Sequence, residues 1–244
     1  MRSFITLIAV VAIVAGFAVT AEADDIFTTV SGSALGTIDT GTGAGTSVGN
    51  TGTGGTWAAA FDTDGTLYTT VNWGAYLGKF NLTTGVVTTI GSAQFGANLI
   101  ALEIDQNGVL YGADWAGVLW TINKSTGVRT RVGGGGVINA MDLAFDSNGT
   151  LWATAGNRLF TVSTSTGAAT FVKNITGISS GAVMGIMFDG QDTLFATAWV
   201  VNSPLYKVDT STGAATVVGT TTGLNRPHGG DIEPDTDGDG ILDR

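Results

Sequence analysis

The chain has no cysteine, one histidine and three prolines among its 244 residues, and only 12% of it is charged. Without cysteine there is neither a disulfide framework nor a thiol nucleophile, so the fold must be held by packing alone or with metal. One histidine cannot build a multi-histidine metal centre, and so few charges leave little with which to tune a nucleophile, base and acid. No basic patch is dense enough to suggest nucleic acid as a partner. After residue 23 no segment sustains a 3.6-residue apolar period and no apolar run is long enough to span a membrane.

Glycine, by contrast, is abundant at 38 residues, but the 43% apolar fraction argues against a disordered low-complexity chain. Arg2, the apolar run from Phe4 to Val19 and the Ala21-Glu22-Ala23 end read as a secretory signal over residues 1–23. The expected localisation is therefore secreted: extracellular, periplasmic or cell-surface. The formal charge of −10 is uneven, with Asp231, Glu233, Asp235, Asp237, Asp239 and Asp243 all crowded into the last 14 residues.

The remainder repeats. Phe61-Asp62-Thr63-Asp64-Gly65-Thr66-Leu67-Tyr68 returns at 104–111, 145–152 and 188–195. A second signature follows each copy and ends on Gly85, Gly127, Gly167 and Gly213, with a fifth copy ending on Gly43. The spacings of 42, 42, 40 and 46 residues, with four short β-type runs per unit, predict an all-β, five-bladed β-propeller over residues 24–235. The fifth copy lacks a first half, which reappears at Asp231 to Gly238. The ring is thus expected to close by pairing of the N- and C-terminal strands, with residues 25 to 48 as outer strands of that blade and 230 to 235 as its innermost one.

Within each unit the turns between strands one and two, and three and four, are short and nearly invariant, and antiparallel order puts both at one end. Every variable connection falls at the other end, where binding usually resides. Trp73, Trp115 and Trp199 stand five or six residues after the strand-two leucines Leu67, Leu110 and Leu194, hence near that variable end. They either stack on a ligand or pack between neighbouring units. Arg226 and His228, in Arg226-Pro227-His228-Gly229-Gly230, add polar candidates there. Trp57, Trp120 and Trp152 fall within predicted strands and are assigned to the core.

The repeat resembles secreted bacterial propellers of the NHL and YVTN type, a likeness that covers residues 25 to 235. It implies architecture rather than activity, since such propellers include binding modules, surface proteins and lactonases. The tail Asp235-Thr236-Asp237-Gly238-Asp239-Gly240-Ile241-Leu242-Asp243 resembles a type-3 thrombospondin calcium repeat. That resemblance implies a calcium cofactor with Asp235, Asp237, Asp239 and Asp243 as side-chain ligands over residues 235–244. The plain alternative is a solvated copy of the blade turn.

Three functions follow: a non-catalytic binding or surface-interaction module for an extracellular glycan or protein; a glycosidase- or lactonase-type hydrolase using Glu103 and Asp142 among the tunnel acids Glu103, Asp142, Asp231 and Glu233; or an envelope or filament subunit. The calcium reading has a direct check. Millimolar calcium should raise the melting temperature by ligand linkage, and Asp237→Asn should remove the increment; no shift in differential scanning calorimetry leaves only the turn.

Overall fold

The computed structural model describes residues 25–30, 33–91, 98–134 and 136–234. The signal sequence and the calcium motif Asp235, Asp237, Asp239 and Asp243 lie outside them. Twenty strands form five antiparallel four-stranded sheets, each one blade of a β-propeller.

Blade two contains β4 (Ala59–Phe61), β5 (Leu67–Val71), β6 (Tyr76–Phe80) and β7 (Val87–Ile90), from the axis outward. Blade three contains β8 (Leu99–Ile104), β9 (Leu110–Asp114), β10 (Leu119–Ile122) and β11 (Arg129–Gly133). Blade four contains β12 (Asp142–Phe145), β13 (Leu151–Thr154), β14 (Arg158–Val162) and β15 (Ala169–Asn174). Blade five contains β16 (Val183–Phe188), β17 (Leu194–Ala198), β18 (Pro204–Val208) and β19 (Ala215–Thr220). Blade one is composite: β1 (Asp25–Val30), β2 (Ala34–Asp39) and β3 (Gly45–Asn50) are joined at the axis by β20 (Pro227–Ile232), which pairs antiparallel with β1. The ring therefore closes by pairing the two ends of the chain, as the split repeat predicts, with the innermost strand three residues earlier than expected.

Local chemistry explains the repeated turns. The Asp105 carboxylate accepts from the backbone N–H of Asn107 and Val109, both at 2.9 Å, and Asp146 and Asp189 hold their turns in the same way. This is why aspartate recurs there. The turn then needs a left-handed residue, supplied by Gly65, Gly108 and Gly149 and, in the fourth copy, by Asp192 at φ 60°.

The core is five separate slabs, one in each gap between blades. Leu77 and Ala60 of blade two pack on Leu102 and Ile104 of blade three, and Ile26 and Ile38 of blade one pack on Phe195 and Leu205 of blade five. Middle strands such as β5, β9 and β17 are buried at every position because both faces of each sheet are covered. Outer strands such as β3 and β19 have no fully buried residue.

The strand-three-to-four turns stand beside the strand-one-to-two turns, as the antiparallel order predicts: Lys124 of one such turn pairs with Asp62 in the preceding blade. The outer strands also meet the preceding blade at the rim. There the Val87 N–H donates to the Thr51 carbonyl at 2.9 Å, and Thr176 and Ala214 form a parallel bridge. Backbones approach so closely that a methyl group on Gly133 would run into the Thr166 carbonyl. Gly133→Ala should therefore cost about 2–4 kcal/mol by forcing two blades apart. Gly190→Ala, where nothing lies within 4 Å of the added carbon, should be near neutral in the same urea titration.

Candidate functional site

The inner strands β4, β8, β12, β16 and β20 all start at the end of the axis that carries the variable connections. Trp57, assigned to a strand by sequence, instead precedes β4 and reaches over this end. Its ring centroid lies 5.7 Å from Trp73, 6.4 Å from Trp115, 5.9 Å from Trp199 and 5.0 Å from His228. Trp57 and Trp199 are stacked at 22°, and the Arg226 guanidinium stands 5.7 Å over Trp199. All five candidates named from sequence thus belong to one cluster, drawn from blades two, three, five and one and centred on a sixth residue.

Exposure divides their roles. Trp73 is 55% exposed and Trp115 40%, whereas His228 is 1% exposed. The His228 Nδ1 faces the Arg226 carbonyl at 2.9 Å and Nε2 faces the Thr56 carbonyl at 3.3 Å, so the imidazole ties β20 to the loop that carries Trp57. Burial pushes its pKa down, and the two carbonyl contacts pull it back up. His228 is a support beneath the indoles rather than a contact surface.

The cluster is built at a conformational cost. Asn72 and Trp73 have φ of 51° and 61°, and Arg226 has φ of 55°. A left-handed bulky residue is uncommon and costs about 1 kcal/mol or more. The Trp73 N–H donates to the Gly55 carbonyl at 2.8 Å, and its indole lies where a side chain on Gly55 would stand. Trp115 is set by Asp114, whose carboxylate accepts from Ala116 and Val118 N–H at 2.9 and 3.0 Å and from Trp120 Nε1 at 3.0 Å. Blade four has no indole at the corresponding place, where Ala155 to Asn157 connect β13 and β14.

Sequence reasoning missed Trp57 and Asp114. Trp57 shares its repeat position with Ile100, Met141 and Met184, at the variable end of each inner strand. That register was the available signal. Trp120 and Trp152 do lie in strands and pack partly buried against the slabs, and the Arg129 guanidinium covers Trp120 at 3.7 Å.

The acids of the inner strands have a structural use. Asp142 and Asp231 stand on inner strands, and each reaches the next blade: Asp142 Oδ2 accepts from Ile186 N–H at 2.9 Å and Asp231 Oδ2 from Phe61 N–H at 2.7 Å. Glu103 Oε1 accepts from the N–H of Ile104 at 3.1 Å. Burial pushes Glu103 and Asp142 well above the usual carboxylate range, and the Asp231 charge raises both further. Burial pushes Asp231 up to about 7 against the N–H donors of Phe61 and Ile232. Among the described residues none of these acids forms an ion pair, and no group of three or more acids and histidines is arranged to hold a metal ion.

No protein-family model matches the chain, and no curated protein matches it. Solved structures do. The symmetrical protein described for its de novo evolutionary emergence aligns with a TM-score of 0.57 at 20% identity, covering 84% of this chain and 96% of that one. A chain of the nidogen/laminin complex gives 0.57 at 15% identity, over 86% and 82%. A catalytically inactive virginiamycin B lyase from Staphylococcus aureus with quinupristin gives 0.50 at 18% identity, over 86% and 75%. The chain has the propeller fold. At these identities the likeness carries neither substrate nor partner.

The raised carboxyls fix a pH dependence. Between an ordinary carboxylate pKa near 4 and about 7 for Asp231, the folded chain keeps protons that the unfolded chain has released, so these groups contribute stability at low pH that is lost as pH rises. His228, with its pKa lowered, works in the opposite sense, and comparison with a single variant cancels it. Asp142→Asn keeps an acceptor for Ile186 and removes the ionisation. Its melting temperature should exceed that of the wild type by several degrees at about pH 8 and converge with it near pH 4.

Proposed function

We propose that the protein is a secreted, non-catalytic carbohydrate-binding module whose contact surface is the tryptophan cluster over the propeller axis. The observation that carries this reading is the meeting of Trp57, Trp73, Trp115 and Trp199 from three blades, with the outer two largely open to solvent. Rigid indoles offer contact area at low entropic cost, and their faces suit the apolar faces of sugar rings. Indoles placed only for packing would be buried in the gaps between blades. Two of these project outward, one on a strained backbone.

The small size of the aromatic surface and its glycine- and threonine-rich surround, Thr51 to Thr56, favour a sugar over a protein partner, which would need a wider contact. The tunnel acids support binding over hydrolysis. Glu103 and Asp142 are 6% and 0% exposed and are engaged by backbone N–H groups, whereas a hydrolytic pair must face a cleft that admits substrate.

The test is a glycan array followed by titration of the best ligands. Trp115→Ala should weaken binding about tenfold or more with the melting temperature kept within a few degrees, because Trp115 is exposed. Hydrolysis of the bound glycan that disappears in Glu103→Gln would overturn the non-catalytic reading, and binding only to proteins would overturn the carbohydrate one.

A further inference from the structure

Charge is sorted along the axis. The strand-one-to-two turns at the far end carry Asp62, Asp64, Asp105, Asp146, Asp189 and Asp192. At the aromatic end the connections hold one carboxylate among the described residues, Asp114, which is 4% exposed and already accepts three hydrogen bonds. The cations at this end are free of carboxylates. Arg226 is exposed, lies over the Trp199 ring at 5.7 Å and forms no ion pair among the described residues. Arg158 is exposed where blade four lacks an indole, and Lys173 is exposed at the end of β15 beside it.

In a chain of formal charge −10 this distribution leaves the aromatic end as the approach with the fewest carboxylates. At the far end Lys124 is taken up by Asp62, whereas at the aromatic end an exposed guanidinium stands over an indole face. Arg226 is held in place: its left-handed backbone is fixed by the hydrogen bond between its carbonyl and His228. Resting on the carbohydrate reading, we propose that the ligand is an anionic polysaccharide. One sugar ring stacks on the indoles of Trp115, Trp73 or Trp199, and a carboxylate or sulfate on the chain takes the Arg226 guanidinium in a charge-assisted hydrogen bond. Arg158 and Lys173 extend the same preference along the blade-four side.

Matched pairs test this. Oligogalacturonate against its methyl ester, and dextran sulfate against dextran, are titrated by tryptophan fluorescence, with melting temperatures as the fold control. At about 50 mM salt at least one charged member should bind about tenfold or more tightly than its neutral partner, with the advantage shrinking towards none near 0.5 M. Arg226→Gln should lose most of that advantage, read as the ratio of charged to neutral affinity, and Arg226→Lys should keep part of it. Equal binding within both pairs, or an advantage unchanged in Arg226→Gln, overturns the anionic assignment and leaves the carbohydrate reading standing. No binding to any of the four polymers, together with a blank glycan array, overturns the carbohydrate reading itself.

Discussion

Every blade has two apolar faces, and a four-stranded sheet cannot bury both by itself. The five slabs of core therefore exist only as shared property of neighbours, such as Leu77 with Leu102 across one gap and Ile38 with Leu205 across another. An open row of blades would leave two faces in water and two unprotected ends. Closure is thus the constraint on which the rest depends, and β20 pairing with β1 provides it across most of the chain length. That pairing carries the loop-closure entropy of nearly the whole chain.

Closure also creates the site. Five inner strands meeting at one axis bring their starting residues within reach of one another, which no single blade could do. Trp57 spans that meeting point because its blade places an indole where others have Ile100, Met141 or Met184. His228 belongs to the closing strand and faces the Thr56 carbonyl, so the final strand pairing and the seating of Trp57 are one packing event. The left-handed backbone at Trp73 and Arg226 can persist because the surrounding ring over-determines it.

The legible parts were those encoded locally. Asp-x-x-Gly turns announce themselves because aspartates such as Asp105 bond their own backbone two and four residues on, and the spacing of the second-signature glycines counted the blades. The composite blade was legible because half a repeat stood at each end. Trp57 was misplaced because an apolar run does not show where its strand begins. The rim contacts between neighbouring blades were hidden because each joins residues of different repeats, as Val87 with Thr51 does. Asp142 and Asp231 looked like scattered tunnel acids since their partners, Ile186 and Phe61, are supplied by the next blade.

These two acids link closure to charge. Both lie on inner strands, and the N–H of Gly230 acts on Asp142 while the backbone of Gly229 meets the Trp57 carbonyl, so the acids stand beneath the aromatic cluster. Burial raises both, so below about pH 7 the protonated form of Asp231 is favoured and adds no negative charge beneath the indoles and the Arg226 cation. Once ionised at higher pH, they would set a negative charge on the axis in a shielded environment where it is poorly screened. Ionising these acids costs stability through desolvation, although the N–H donors of Ile186 and Phe61 favour the ionised form, and the same charge opposes an anion at the cluster. Stability and anion recognition should therefore weaken together as the pH rises.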